Sequence, residues 1–65
     1  MEIEVKQTEP DLDRAIESGL DLAESQAPEG QRLSKLNFTT IDVLQSVDGE
    51  RDYCYKFIPT YEAES

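Results

Sequence analysis

The chain has 65 residues, with 15 Asp and Glu against 6 Lys and Arg, no His, one Cys and no Trp, and a net charge of −9. One Cys excludes an internal disulfide, and the lack of His excludes imidazole acid–base chemistry, a Ser-His-Asp triad and a Cys/His zinc site. The acidity argues against direct binding to nucleic-acid phosphates or anionic membrane surfaces, and a single core this small needs some further source of stability.

Glu2-Ile3-Glu4-Val5-Lys6-Gln7 alternates polar and apolar residues, which predicts a strand over 2–7 with Ile3 and Val5 inward. Thr8-Glu9-Pro10-Asp11 follows as a helix-start signature: a capping residue, a proline suited to the first turn, and an acid three positions on. Leu12, Ala15, Ile16, Gly19, Leu20, Ala23 and Ala27 then form one apolar stripe, which predicts a helix over 9–27. Ala27-Pro28-Glu29-Gly30 ends it. Leu33 to Val47 and Arg51 to Tyr61 are two β-prone runs separated by Asp48-Gly49, a strong hairpin signal. The expected order is β-α-β-β, with later strands near 36–47 and 50–61. A right-handed crossover would set the first strand parallel to a neighbour. This is an α+β fold: a single domain over 1–61, a frayed acidic end at 62–65, and one amphipathic helix on one face of a three-stranded sheet.

With Asp48 and Gly49 as the two loop residues, Val47 faces Glu50. One hairpin face then carries Leu36, Phe38, Thr40, Leu44, Tyr53, Tyr55, Phe57 and Tyr61. The other carries Ile41, Val43, Val47, Cys54 and Ile58, with Lys56 and Asp52 among them. A lone helix covers one sheet face, so Ile41, Val43, Cys54 and Ile58 are the expected interface of a homo-oligomer, which would also relieve the shortage of core. Pro59, lacking an N–H, suits an edge or a bulge. Cys54, inside a β-run between two tyrosines, reads as a buried, inert small hydrophobe. As a single unpaired cysteine, it also points to a reducing, cytoplasmic setting.

The charge is uneven. Residues 1–30 hold nine acids and two bases (−7), and residues 31–65 hold six acids and four bases (−2). At about 100° per residue, Asp13, Glu17, Asp21 and Glu24 share one flank of the helix beside the apolar stripe. Like charges a turn apart repel by roughly a few tenths of a kcal/mol per pair. Such a row serves solubility, high-salt adaptation, or presentation of an anionic surface to a basic partner. That partner could be a nucleic-acid-binding protein whose groove the flank occupies. The row is sparse for full mimicry, with four charges along about 16 Å of helix at ~1.5 Å per residue, against one phosphate per ~3.4 Å of a DNA strand. Asp48-Gly49-Glu50-Arg51-Asp52 has a base inside its acids and reads as a turn, not a calcium loop. No catalytic group, metal site or cofactor is expected.

Thr8 to Ala23, and the run from Glu50-Arg51-Asp52-Tyr53 through Tyr61-Glu62, resemble the helix and last strand of dodecins. Those are small β-α-β-β flavin-binding proteins that assemble into hollow dodecamers. The resemblance implies self-assembly. It also implies, as an alternative function, flavin binding and storage, with Phe38 nearest the place of the family's flavin-stacking Trp.

The reading that carries most of these features is a non-enzymatic, self-associating acidic interaction protein, of inhibitor or nucleic-acid-mimic type.

Overall fold

A computed structural model describes residues 1–64. The order is β1 (Ile3–Gln7), α1 (Leu12–Ser25), β2 (Gln31–Gln45) and β3 (Arg51–Ala63). The three strands form an antiparallel sheet in the order β1-β3-β2, with α1 packed on one face.

The helix begins three residues later than Thr8 suggests. Asp11 is the N-cap, and its carboxylate accepts from the Arg14 backbone N–H at 3.1 Å. Gln7 secures the approach from β1. In the amide orientation that matches its neighbours, its side chain donates to the carbonyls of Asp11 (2.9 Å) and Glu9 (3.2 Å) and accepts from the Ala15 N–H (3.0 Å). At the other end, Gln26 is the C-cap, and its N–H donates to the Leu22 carbonyl at 3.1 Å. Helix 12–25 therefore replaces the expected 9–27.

The first strand lies beside β3 and antiparallel to it, with Ile3 opposite Phe57, Val5 opposite Tyr55 and Gln7 opposite Tyr53. The expected parallel neighbour is corrected: the strand parallel to β1 is β2, and β3 separates the two. Taking the centre gives β3 hydrogen-bonded neighbours on both sides and buries its aromatic residues Tyr55 and Phe57. Pro59 lies past the last β1 pair, where that flank of β3 has no neighbouring strand and a missing N–H costs nothing. The end expected to fray is paired instead, with β3 reaching Ala63 opposite Gln31 and the Glu64 N–H bonded to the Gly30 carbonyl at 3.0 Å. Residue 65 of that end lies outside the described residues.

The hairpin register differs by one residue from the expected one. Gln45 pairs with Arg51, and the Ser46 N–H donates to the Glu50 carbonyl at 2.9 Å, so the loop is Val47-Asp48-Gly49. The Gly49 N–H closes the turn on Ser46, and Gly49 takes φ 91°, a conformation that favours glycine. Farther along, Ser34 and Thr39 sit at two shifts of register in β2. Each satisfies a β3 carbonyl with its hydroxyl, Ser34 that of Thr60 at 3.2 Å and Thr39 that of Lys56 at 3.0 Å.

These two bulges decide which residues share a face. Leu33, Leu36, Phe38, Ile41 and Val43 are spaced 3, 2, 3 and 2. An unbroken strand would scatter them over both faces, because side chains alternate at every residue. Here each stands opposite a β3 residue of the helix side: Tyr61, Pro59, Phe57, Tyr55 and Tyr53 respectively. The other face carries Thr40, Asp42 and Leu44 opposite Lys56, Cys54 and Asp52. The expected second apolar face is therefore broken up: Ile41 and Val43 lie on the helix side, while Leu44, Cys54 and Ile58 stand among Asp42, Asp52 and Lys56 on the other.

The core comprises Ile3, Val5, Ala15, Ala23, Tyr55 and Phe57, with Leu33, Leu36 and Tyr53 packed against it. Close approach of helix and sheet depends on small residues. A Cβ on Gly19 would lie 3.1 Å from the Phe57 ring and 3.4 Å from Leu36. Tyr61 ties the far end down, its hydroxyl donating to the Ala23 carbonyl at 2.6 Å.

Candidate functional site

The acidic flank of α1 is on the surface as expected, with Asp13, Glu17, Asp21 and Glu24 all exposed. Their placement follows from the helix phase. The buried line Ala15, Gly19 and Ala23 faces the sheet, Leu12, Ile16 and Leu20 lie beside it, and the acids come next around the helix. Asp13, in the first turn, complements the helix dipole, whereas Glu24, in the last turn, opposes it. No base occupies the last turn. Among the described residues the ion pairs are Arg32–Glu62 at 3.5 Å and Lys56–Asp42 at 3.3 Å, and neither involves a helix acid. The flank thus projects a row of unpaired carboxylates over about 16 Å, at ~1.5 Å per residue.

The structure divides the four residues expected to form an oligomer interface. Ile41 and Val43 stand opposite Tyr55 and Tyr53 on the helix side, whereas Cys54 and Ile58 stand opposite Asp42 and Asn37 on the other. The cause is the three-residue loop, since a one-residue change of register exchanges the faces. Cys54 is buried, as expected of an inert small hydrophobe, yet it lies outside the main core, flanked across the strands by Lys6 and Asp42. The face around it mixes Lys6, Asp42 and Lys56 with the half-exposed Leu44 and Ile58. The Lys56 ammonium there is held above its usual range by its hydrogen bond and charge interaction with Asp42, and further by Glu2 and Glu4.

Phe38 lies on the helix side, half-exposed at 44%, with its ring 5.6 Å from Phe57 and 6.2 Å from Tyr55. Beyond it toward the turn, Ile41 is 44% exposed and Val43 54%. These three are an apolar strip that α1 leaves about half exposed. Helix 12–25 is about 21 Å long at ~1.5 Å per residue. Strand β2, at ~3.3 Å per residue, is about 50 Å long, and the molecule measures 51 × 19 × 16 Å. Sequence reasoning missed this strip as a unit because it missed the bulges. The available signal was the 3-2-3-2 spacing from Leu33 to Val43.

The concavities are open and shallow. One, at the β1–α1 junction, is lined by Lys6, Gln7, Thr8, Glu9, Asp11 and Arg14. Among the described residues no group of three or more Cys, Asp or Glu side chains is placed to hold a metal ion, and no helix is long and apolar enough to cross a membrane. No family model matches the chain, and no curated protein or solved structure matches it either.

Proposed function

We propose that this protein is a non-enzymatic acidic interaction module that self-associates and presents the flank Asp13, Glu17, Asp21 and Glu24 to a basic partner. A nucleic-acid-binding protein, held off its own substrate by this anionic surface, is the type of partner that fits. The supporting observation is the row itself: four exposed carboxylates at one-turn spacing, unpaired among the described residues, and maintained despite mutual repulsion and an unfavourable Glu24. An acidic row of this kind acts through long-range attraction, which salt screens within about 8 Å at physiological ionic strength. The test is retention of basic DNA-binding proteins on the immobilised chain across a salt gradient. Retention should fall steeply with salt and vanish when all four acids are changed to Lys, whereas salt-insensitive retention contradicts the reading.

A second reading, suggested by the resemblance to dodecins, is flavin binding. Its support is the half-exposed Phe38 ring beside two further aromatic residues. Addition of the chain would then quench flavin fluorescence, and Phe38→Ala would abolish the quenching. Unchanged fluorescence removes this reading.

A further inference from the structure

We propose that the helix-side face of the β2–β3 hairpin, between Phe38 and the turn, receives the outward flank of α1 from a second copy of the chain. This names the contact surfaces for the self-association in the reading above, and it rests on that reading.

The hairpin supplies one half of the contact. Phe38, Ile41 and Val43 lie exposed in a line, continued by Tyr53 and, at the tip, by Arg51 opposite Gln45. The chain has 15 carboxylates, yet none stands on this side between Phe38 and Gln45 or between Arg51 and Phe57. In the paired strands the acids Asp42 and Asp52 stand on the far side, with Asp42 opposite Cys54 and Asp52 opposite Leu44. This surface is therefore apolar and ends in a cation.

The helix supplies the other half. Leu12, Ile16 and Leu20 are 42%, 36% and 37% exposed, and the acid row borders them. This surface is apolar and edged with carboxylates. Large apolar side chains at one-turn spacing are the usual anchors of a helix laid into an apolar surface, and the acids Asp13 and Glu17 beside them complement Arg51.

The chain cannot make this contact with itself. Residues 8–11 alone join β1 to α1, the helix is held down by Gln7 at its start and by Tyr61 near its end, and its buried line is already engaged. A second copy brings the matching surface. Each copy offers one hairpin surface and one helix surface, so the contact closes either reciprocally in a two-fold dimer or head to tail in a ring. Burying these residues supplies the apolar contact that a core with two alanines among its six residues lacks.

The test combines solution mass with site-directed cross-linking. The wild-type chain should sediment as a multiple of 7.4 kDa. Ile41→Asp and Leu20→Asp should each reduce the mass to that of one chain while the circular dichroism stays that of the folded protein. Leu44→Asp, on the opposite sheet face, should leave the mass unchanged. In a Cys54→Ala background, a mixture of Leu20→Cys and Ile41→Cys chains should form the mixed disulfide in preference to either symmetric one. A wild-type mass of one chain at every concentration overturns self-association and this contact together. An assembly that survives Ile41→Asp and Leu20→Asp but dissociates with Leu44→Asp overturns the contact alone.

Discussion

The two ends of the β2–β3 hairpin have the same kind of sequence and opposite surroundings. Toward the open end Leu33 and Leu36 pack against the core, Phe57 at mid-strand is 1% exposed, and Tyr61 reaches the helix backbone through its hydroxyl. Toward the turn Ile41 and Val43 face the same side of the sheet yet are about half exposed. Both ends place apolar residues inward, so residue type does not separate them. Helix length and sheet position do: a 14-residue helix cannot cover a 15-residue strand when a strand rises more than twice as far per residue, and toward the turn it leaves the edge strand β2 open while the central β3 stays covered, with Tyr55 opposite Ile41 only 2% exposed. The covered end holds the fold together, and the uncovered end is available for association.

Substitutions at the covered end should therefore affect folding, and those toward the turn should affect assembly. The largest expected effect is Phe57→Ala, which leaves a cavity under α1 and should lower stability by about 3–5 kcal/mol, read from urea unfolding. A loss below about 1 kcal/mol would show that the helix is not seated as described. Next is Gly19→Ala, where improved helix propensity of about 1 kcal/mol opposes a Cβ placed 3.1 Å from a buried ring. Overpacking costs about 1–3 kcal/mol, so net destabilisation is expected, and an increase in melting temperature would contradict the close packing. Tyr61→Phe removes the hydroxyl bond to Ala23 and should cost roughly 1 kcal/mol, also in urea.

The smallest effect is at the turn. The Asp48 carboxyl is held below its usual range, first by its hydrogen bond with the Ser46 hydroxyl and then by that from the Glu50 N–H. A group whose pKa is depressed in the folded state stabilises that state above its unfolded pKa, near ~3.9, and loses the contribution as pH falls through the lower folded value. The protection of the amides at residues 46–50, relative to their intrinsic exchange rates, should accordingly fall in acid in the wild type. Asp48→Asn should show no such acid step, and an identical step in both would remove the assignment.

Much of this architecture was legible in the residues. The alternation of Ile3 and Val5, the stripe from Leu12 to Ala23 and the Asp48-Gly49 turn give β-α-β-β, because periodicity and turn chemistry are local properties. The acid row was equally legible, as helical phase alone defines it. The helix start was misplaced because Thr8 and Asp11 are both good caps. Cap preference alone does not choose between them, and the contacts of Gln7 with the Glu9, Asp11 and Ala15 backbone come from another element. The hairpin faces were lost for two reasons: a three-residue loop replaced a two-residue one, and bulges at Ser34 and Thr39 restored the apolar phase twice. Pairing decides both features, and the 3-2-3-2 spacing was their one trace in the sequence.

The most direct test of the division between covered and uncovered ends uses the absence of tryptophan from the chain. Val43→Trp places a single reporter on the strip. Self-association through the strip predicts a blue-shifted emission at high concentration that moves to the red on dilution, and on adding Ile41→Asp. A water-like emission at every concentration, unchanged by Ile41→Asp, would contradict it.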